Sequence, residues 1–359
     1  MFNLNRLDLA RKRRRLTKKD LASAAGVSPV TISRWSSEKT EPDHDAMVRV
    51  AKALRYPLDF FYGEDLEEPH SDTVSFRSMS KMIARERNAA LAAGAISFYL
   101  DDWVQKRFNL PAADLPSMSF EPEPDSAAHM LRQHWGIGQK PIGNMIKLME
   151  SKGVRVFSLS ENTRNVDAFS CWRNSTPYVF LNTYKSAEHS RFDAAHEIGH
   201  LVLHKHAGPA HSRDAEKEAN DFAASFLMPS ADVEAQISHV FKLDHIVNAK
   251  RRWGVSVAAL AYRLNRLGRI SDWHYRDYCI QINRLGYRTK EPDGLPREQS
   301  AVWSKVLASL WADRITKNKI ASMLSLPLEE VEGVLFGLAG LPDDLPKTES
   351  RDFPLKLVK

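Results

Sequence analysis

In residues 192–204, FDAAHEIGHLVLH, two histidines stand four positions apart around a glutamate inside an apolar run. Positions i and i+4 share one helix face, so His196 and His200 each present an imidazole to the same point. Ile198, Leu201 and Val202 are then available to anchor that helix in a core. Zinc takes nitrogen and oxygen ligands tetrahedrally, and catalytic sites leave one position for water. Glu197, next to the first ligand, is placed to reach that water instead of the ion. It would take the water's proton during attack on a peptide carbonyl and return one to the departing amine. Gly199 permits a neighbouring chain to approach closely. The plain alternative is a buried helix whose histidines are only hydrogen-bonded.

A third ligand is required. AEKEANDFAASFLMP, residues 215–229, has a helical pattern with Glu216 and Asn220 four apart and Phe222, Ala223, Phe226 and Leu227 free to pack. Glu216 and Glu218 cannot both face the same way on that helix, and spacing alone does not choose between them. HEIGH, the downstream glutamate helix and its LMP ending resemble the ImmA/IrrE family of bacterial zinc metallopeptidases over about residues 130–260. In that family's pattern the ligand glutamate stands four residues before the asparagine, so the resemblance implies Glu216. The implied set is His196, His200 and Glu216 on Zn2+, Glu197 as catalytic base and Asn220 supporting the site. His204 continues the spacing and is expected beside the ligands or at the surface, not as a fourth ligand. His206 and His211 fall in the loop HAGPAH, where ordinary solvated histidines are expected. Tyr184 and Arg191 are candidates to stabilise the tetrahedral intermediate.

The N-terminus carries a different signal. In LTKKDLASAAGVSPVTISRWSSEKTEP, Thr17 caps a helix, Gly26 supplies the turn, and Ser28 caps a second helix with Pro29 at its first position. Val30, Ile32 and Trp35 are expected to pack, leaving Thr31, Ser33 and Arg34 outward. Two helices so joined form a helix-turn-helix, whose second helix enters the DNA major groove. Over residues 4–62 the segments LTKKDLA, GVSPVTISRWSSEKTEP and MVRVAKALRYPLDFFYG resemble the XRE/Cro-like repressor family. The resemblance implies a five-helix domain with Lys18, Ser28, Thr31 and Arg34 as DNA contacts, Lys18 through phosphate. Taken alone, the basic run Arg11–Arg15 reads as a solvated helix face.

Composition sets the frame for both signals. The chain has 359 residues, 43% of them hydrophobic, enough for more than one core. Lys and Arg number 51 against 45 Asp and Glu, a weak hint of a polyanionic partner by itself. The two cysteines, Cys171 and Cys279, form no CxxC, which argues against a disulfide framework or thiolate zinc. No stretch approaches the roughly 20 apolar residues of a membrane span, and no signal peptide is visible. A cytoplasmic protein without membrane contact is expected.

Between the two signals, SMSKMIARERNAALAAGAISFYLDDWVQKRF favours one or two helices, and NLPAADLPSMSFEPEPD reads as an extended linker allowing hinge freedom. GVRVFSL, DAFSCW and PYVFLN read as short strands, the last two joined by the polar turn RNST. RRWGVSVAALAYRLNRLG, AVWSKVLASLWADR and ITKNKIASMLSLPLEEVEGVLFGL read as further helices. The acidic PLEEVEG suits packing or dimerisation better than a second DNA contact, and PDDLPKTESRDFPLK reads as a mobile tail.

The expected fold is therefore mainly α with a small β-sheet, an α+β chain. Its expected segments are the helix-turn-helix (1–66), a helical connector with Pro-rich linker (67–125), a zincin-like peptidase domain (126–270) and a helical C-terminal region (271–359). The expected function is a DNA-binding transcriptional regulator, homodimeric on its operator, whose zinc domain cuts a repressor or antitoxin-like protein in a stress or mobile-element response. The rival is a transcription factor or antitoxin in which zinc is structural or sensory and no bond is cut.

Overall fold

The computed structural model describes residues 2–35, 37, 40–70, 74–76, 83–121, 123–159, 168–204 and 213–339. His206, His211 and the C-terminal tail lie outside them. The N-terminal unit holds α1 (Leu4–Arg13), α2 (Lys18–Ala25), α3 (Pro29–Trp35) and α4 (His44–Leu54). The fifth expected helix is a 3-10 turn, Leu58–Tyr62. Thr17 and Asp20 form a reciprocal capping box at the start of α2, and Gly26 ends it at φ +63°.

Next come the two-residue strand β1 (Ser75–Phe76) and α5 (Ala84–Gln105). Residues 89–98 of α5 are buried without a break, as expected of a helix apolar on every side. The central region contains α6 (Pro124–His134), α7 (Met145–Ser151), β2 (Arg155–Leu159), β3 (Ala168–Arg173) and β4 (Thr176–Asn182). Helices α8 (Ala187–Leu203), α9 (Arg213–Leu227), α10 (Ser230–Gln236), α11 (Leu243–Ala249), α12 (Val257–Arg266) and α13 (Asp272–Arg284) follow. The chain continues through α14 (Ala301–Ala312), α15 (Lys317–Met323) and α16 (Leu328–Ala339).

The sheet runs in the order β1-β3-β4-β2, with β2 parallel to β4 and the other pairs antiparallel. The β3–β4 hairpin turns on Asn174 and Ser175, at φ 47° and 65°. Positive φ at both turn residues matches the right-handed strand twist, and asparagine tolerates it well.

Period-two alternation gives the sheet two buried faces. Phe157, Phe169, Cys171, Tyr178 and Phe180 face one core, shared with α5, α14–α16 and the N-terminal helices. Val156, Ala168, Val179 and Leu181 face the other, which contains α6, α8, α9 and α12. On the first face Phe169 and Phe180 stack with centroids 4.2 Å apart, and Trp303 of α14 tilts against Phe157 at 5.2 Å. The N-terminal helices are thus built onto the back of the sheet.

One expectation and one alternative reading are corrected here. The Pro-rich segment is extended, but it is no hinge: Leu115 and Met118 are buried in the second core. Asp114 N–H donates to the Lys152 carbonyl at 2.9 Å and Met118 N–H to Val202 at 2.7 Å. Gly153, at φ +74°, lies so close that a Cβ there would sit 2.2 Å from the Ala112 carbonyl oxygen. Nor is the basic run of α1 a solvated face. Arg13 Nε lies 2.7 Å from Glu330, Arg14 Nη1 3.1 Å from the same carboxylate, and the Tyr56 hydroxyl donates to it at 3.2 Å. Arg14 also reaches Glu329 at 2.5 Å. The acidic start of α16 therefore docks on the helix-turn-helix unit, within the same chain. Glu330 is buried, and removing one partner of such a pair costs about 3–5 kcal/mol.

A second buried carboxylate gives this body a pH dependence. Glu150 of α7 accepts from Ser300 Oγ and from the first N–H groups of α14, Ala301 at 2.8 Å and Val302 at 3.1 Å. Burial pushes its pKa up from 4.5 to about 7, against those hydrogen bonds. The native state then holds a proton that the unfolded chain releases, so stability falls as pH rises from about 4.5 through about 7. Urea unfolding across that window should show Glu150→Gln removing a loss on the order of 3 kcal/mol. Identical pH slopes for the two proteins would contradict this.

Candidate metal centre and nucleic-acid interface

Ser186 caps α8, and from Asp193 to Leu203 the helix is buried without interruption. One side lies on the sheet, where Trp172 of β3 donates its indole N–H to the Leu201 carbonyl at 3.2 Å. The other side lies on α9. A Cβ at Gly199 would meet Phe222 at 3.0 Å and Ala219 at 3.3 Å, so the glycine expected to admit a neighbouring chain admits this one.

That approach brings Glu216 to the two histidines. His196 Nε2 and His200 Nε2 are 3.0 Å apart, and the Glu216 oxygens lie 3.5 and 3.3 Å from them respectively. Among the described residues these three form the group of possible ligands converging on one point. Burial lowers the pKa of His200 to about 3, keeping its imidazole neutral at pH 7. Burial opposes the charge on Glu216, but the two histidines outweigh it and hold its carboxyl well below the usual range.

The protons around His200 follow from its neighbours. Glu218 faces away from the group and meets His204 Nε2 at 2.9 Å, while His204 Nδ1 lies 3.0 Å from His200 Nδ1. A carboxylate only accepts, so His204 carries its proton on Nε2 and accepts at Nδ1. His200 must then donate from Nδ1, which leaves its Nε2 lone pair aimed at His196 and Glu216. With His196 also protonated on Nδ1, its Nε2, that of His200 and the Glu216 carboxylate form a donor set 3.0–3.5 Å apart that is open to one cation. Tetrahedral ligands about 2.0–2.1 Å from zinc stand about 3.3 Å apart, so the donor set and its spacing fit that ion. An outer carboxylate–histidine pair of this kind orients ligand histidines in metal sites generally. The i+4 spacing of His204 pointed to it; nothing local in the sequence pointed to Glu218 as its partner.

Glu197 is fully buried and outside the three-residue group, its Oε2 accepting from Ser170 Oγ on β3 at 2.7 Å. Ser170 was not legible as a site residue, since its place opposite Glu197 depends on how β3 crosses α8. Asn220 lies beside the site, with its amide donating to the Glu216 carbonyl at 2.7 Å. Arg191 is committed elsewhere: its guanidinium binds Glu298 and the Ile142 carbonyl. Tyr184 is exposed in the turn before α8. Cys171 is buried on the opposite face of the sheet and Cys279 lies on α13, both free.

On α3, Ser28 Oγ accepts from Thr31 N–H at 3.0 Å and pairs with the Thr31 hydroxyl at 2.8 Å. Ile32 and Trp35 are buried in the domain core. Lys18, Ser28, Ser33 and Arg34 are exposed and Thr31 half-buried. Val30, expected to pack, is 60% exposed, because on α3 it lies on the side of the helix opposite the buried Ile32.

Family models match two stretches of the chain: a helix-turn-helix over residues 7–61 and an IrrE N-terminal-like domain over residues 149–265. The chain joins a helix-turn-helix domain to an IrrE N-terminal-like domain. The first is a DNA-binding unit and the second metallopeptidase-like, spanning β2 to α12 with His196, His200 and Glu216 inside it. No curated protein matches the chain. Among solved structures, a Mycobacterium tuberculosis transcriptional regulator aligns over 48% of this chain and 51% of its own, at 14% identity and TM-score 0.29. The chain thus spans about half the length of that regulator. Among the described residues no helix is long and apolar enough to cross a membrane.

The IrrE-like domain's geometry makes a direct prediction. Zinc titration of the metal-free chain should give one site, abolished by Glu216→Ala. Glu218→Ala should weaken it about 10–100-fold through His204. Unchanged affinity in both variants would show that the group binds no metal.

Proposed function

We propose that this chain is a DNA-bound regulator whose IrrE-like domain is a zinc-dependent endopeptidase acting on a repressor or antitoxin-like protein. One observation carries the reading: His196, His200 and Glu216 converge from two helices beside a buried glutamate that is not part of their set. In this reading those three residues hold zinc and Asn220 steadies the turn that carries Glu216. A bound zinc ion polarises a carbonyl and lowers the pKa of water to about 7. Glu197 accepts a proton from the attacking water and delivers one to the departing amine. Ser170, donating to Glu197 at 2.7 Å, fixes the carboxylate's direction without competing for its proton.

In the other half, Arg34, Ser28 and Thr31 meet the major groove and Lys18 a phosphate, with exposed Val30 offering an apolar contact to a thymine methyl. A homodimer would address two half-sites of an operator. Holding the peptidase at DNA raises its effective concentration towards a repressor bound nearby. Such a protein works in the cytoplasm, switching a stress or mobile-element response.

The test is Glu197→Gln. The variant should keep its zinc while cleavage of a mixed peptide library falls about 100- to 10,000-fold. Equal cleavage by both proteins at equal zinc content would sink the reading. For the DNA half, Arg34→Ala should weaken binding to duplexes selected by the full chain by about 10-fold or more, with folding intact. Unchanged affinity would remove α3 from the interface.

A further inference from the structure

Next to Glu216 the helices α8, α9, α12 and α13 surround an open cavity of about 470 Å³. Its walls include Phe192 of α8, Ala259 and Tyr262 of α12 and Tyr275 of α13. The Tyr262 hydroxyl donates to Asp221, so the tyrosine's polar end is already satisfied. Tyr262 and Tyr275 have ring centroids 6.4 Å apart. Two cations, Lys217 and Arg288, also line the cavity, and Glu216 is the one carboxylate among its lining residues. Glu216 is turned away from the cavity's cations, to His196 and His200 at 3.5 and 3.3 Å.

We propose that this cavity is the specificity subsite for the substrate polypeptide, and that it takes a bulky apolar side chain with an acidic residue beside it. The inference rests on the peptidase reading for its place beside the scissile bond. Its volume lies in the range of side-chain and small-ligand sites, large enough for one aromatic or long aliphatic group with some adjoining main chain. Aromatic walls favour that group by removing its apolar surface from water, at about 25 cal/mol per Å². The excess positive charge at Lys217 and Arg288 favours an acidic neighbour and repels a basic one. The wall residues come from α12 and α13 as well as from the ligand helices, so this subsite is a property of how the four helices pack.

Peptide binding tests this separately from cleavage. The full chain carrying Glu197→Gln is loaded with zinc and titrated with labelled Gly/Ser heptapeptides in fluorescence anisotropy. One peptide carries adjacent Phe and Asp, one Phe and Lys, one Gly and Asp. The Phe/Asp peptide should bind at least about 10-fold tighter than either other. Arg288→Glu should reverse the preference between Asp and Lys. Ala259→Phe, which fills the cavity from its wall, should abolish the preference for Phe while zinc content stays the same. Equal binding of the three peptides, or preferences untouched by both substitutions, would overturn the subsite. If the preferences hold while the unsubstituted chain cuts none of the peptides, the subsite stands as a peptide-binding site and only the peptidase reading fails.

Discussion

The close contact of α8 with α9 is the constraint on which the rest of the site depends. At Gly199 the helices approach so closely that a Cβ would be 3.0 Å from Phe222, and this approach brings Glu216 within 3.5 Å of both histidines. A side chain at 199 would push α9 outward, and the carboxylate would leave with it. The site is thus held by packing, with Phe222, Ala223 and Phe226 buried behind it. Each of the two phenylalanines contributes about 1.5–3 kcal/mol when fully buried.

The sheet is the second organising element, because one layer of backbone serves two cores. Ser170 faces α8 and holds Glu197, while its neighbours Phe169 and Cys171 face the core shared with the DNA-binding helices. The ion pairs from Arg13 and Arg14 to Glu330 close the same body from the far side. The DNA-binding unit and the metal-site domain are consequently joined through a packed interior and not through a flexible tether. Those arginines are also unavailable as a freely solvated phosphate-binding face while Glu330 holds them.

Local patterns made much of this legible. The caps at Thr17 and Ser28, the turn at Gly26, and the hairpin at Asn174 and Ser175 are short-range features, fixed by residues that touch each other along the chain. His196 and His200 share a face by helix geometry alone. What escaped was long-range. Helical spacing left Glu216 and Glu218 open, since the choice depends on the rotation of α9 against α8. The role of Arg191 was misread because Glu298, its partner, lies 107 positions away. The same holds for Arg13 and Glu330, 317 positions apart. Charge patterns announce that a residue needs a partner, but only the fold supplies which one. The Pro-rich segment was read as free for a related reason: its composition set its extended shape, while Leu115 and Met118 tied it down.

X-ray absorption spectroscopy of the zinc-loaded full chain tests the central claim most directly. Two imidazole nitrogens and carboxylate or water oxygen at about 2.0–2.2 Å, with no sulfur, are expected from His196, His200 and Glu216. A sulfur shell near 2.3 Å, or a spectrum unchanged when Glu216 is replaced, would contradict the convergence of α8 and α9 on a metal ion.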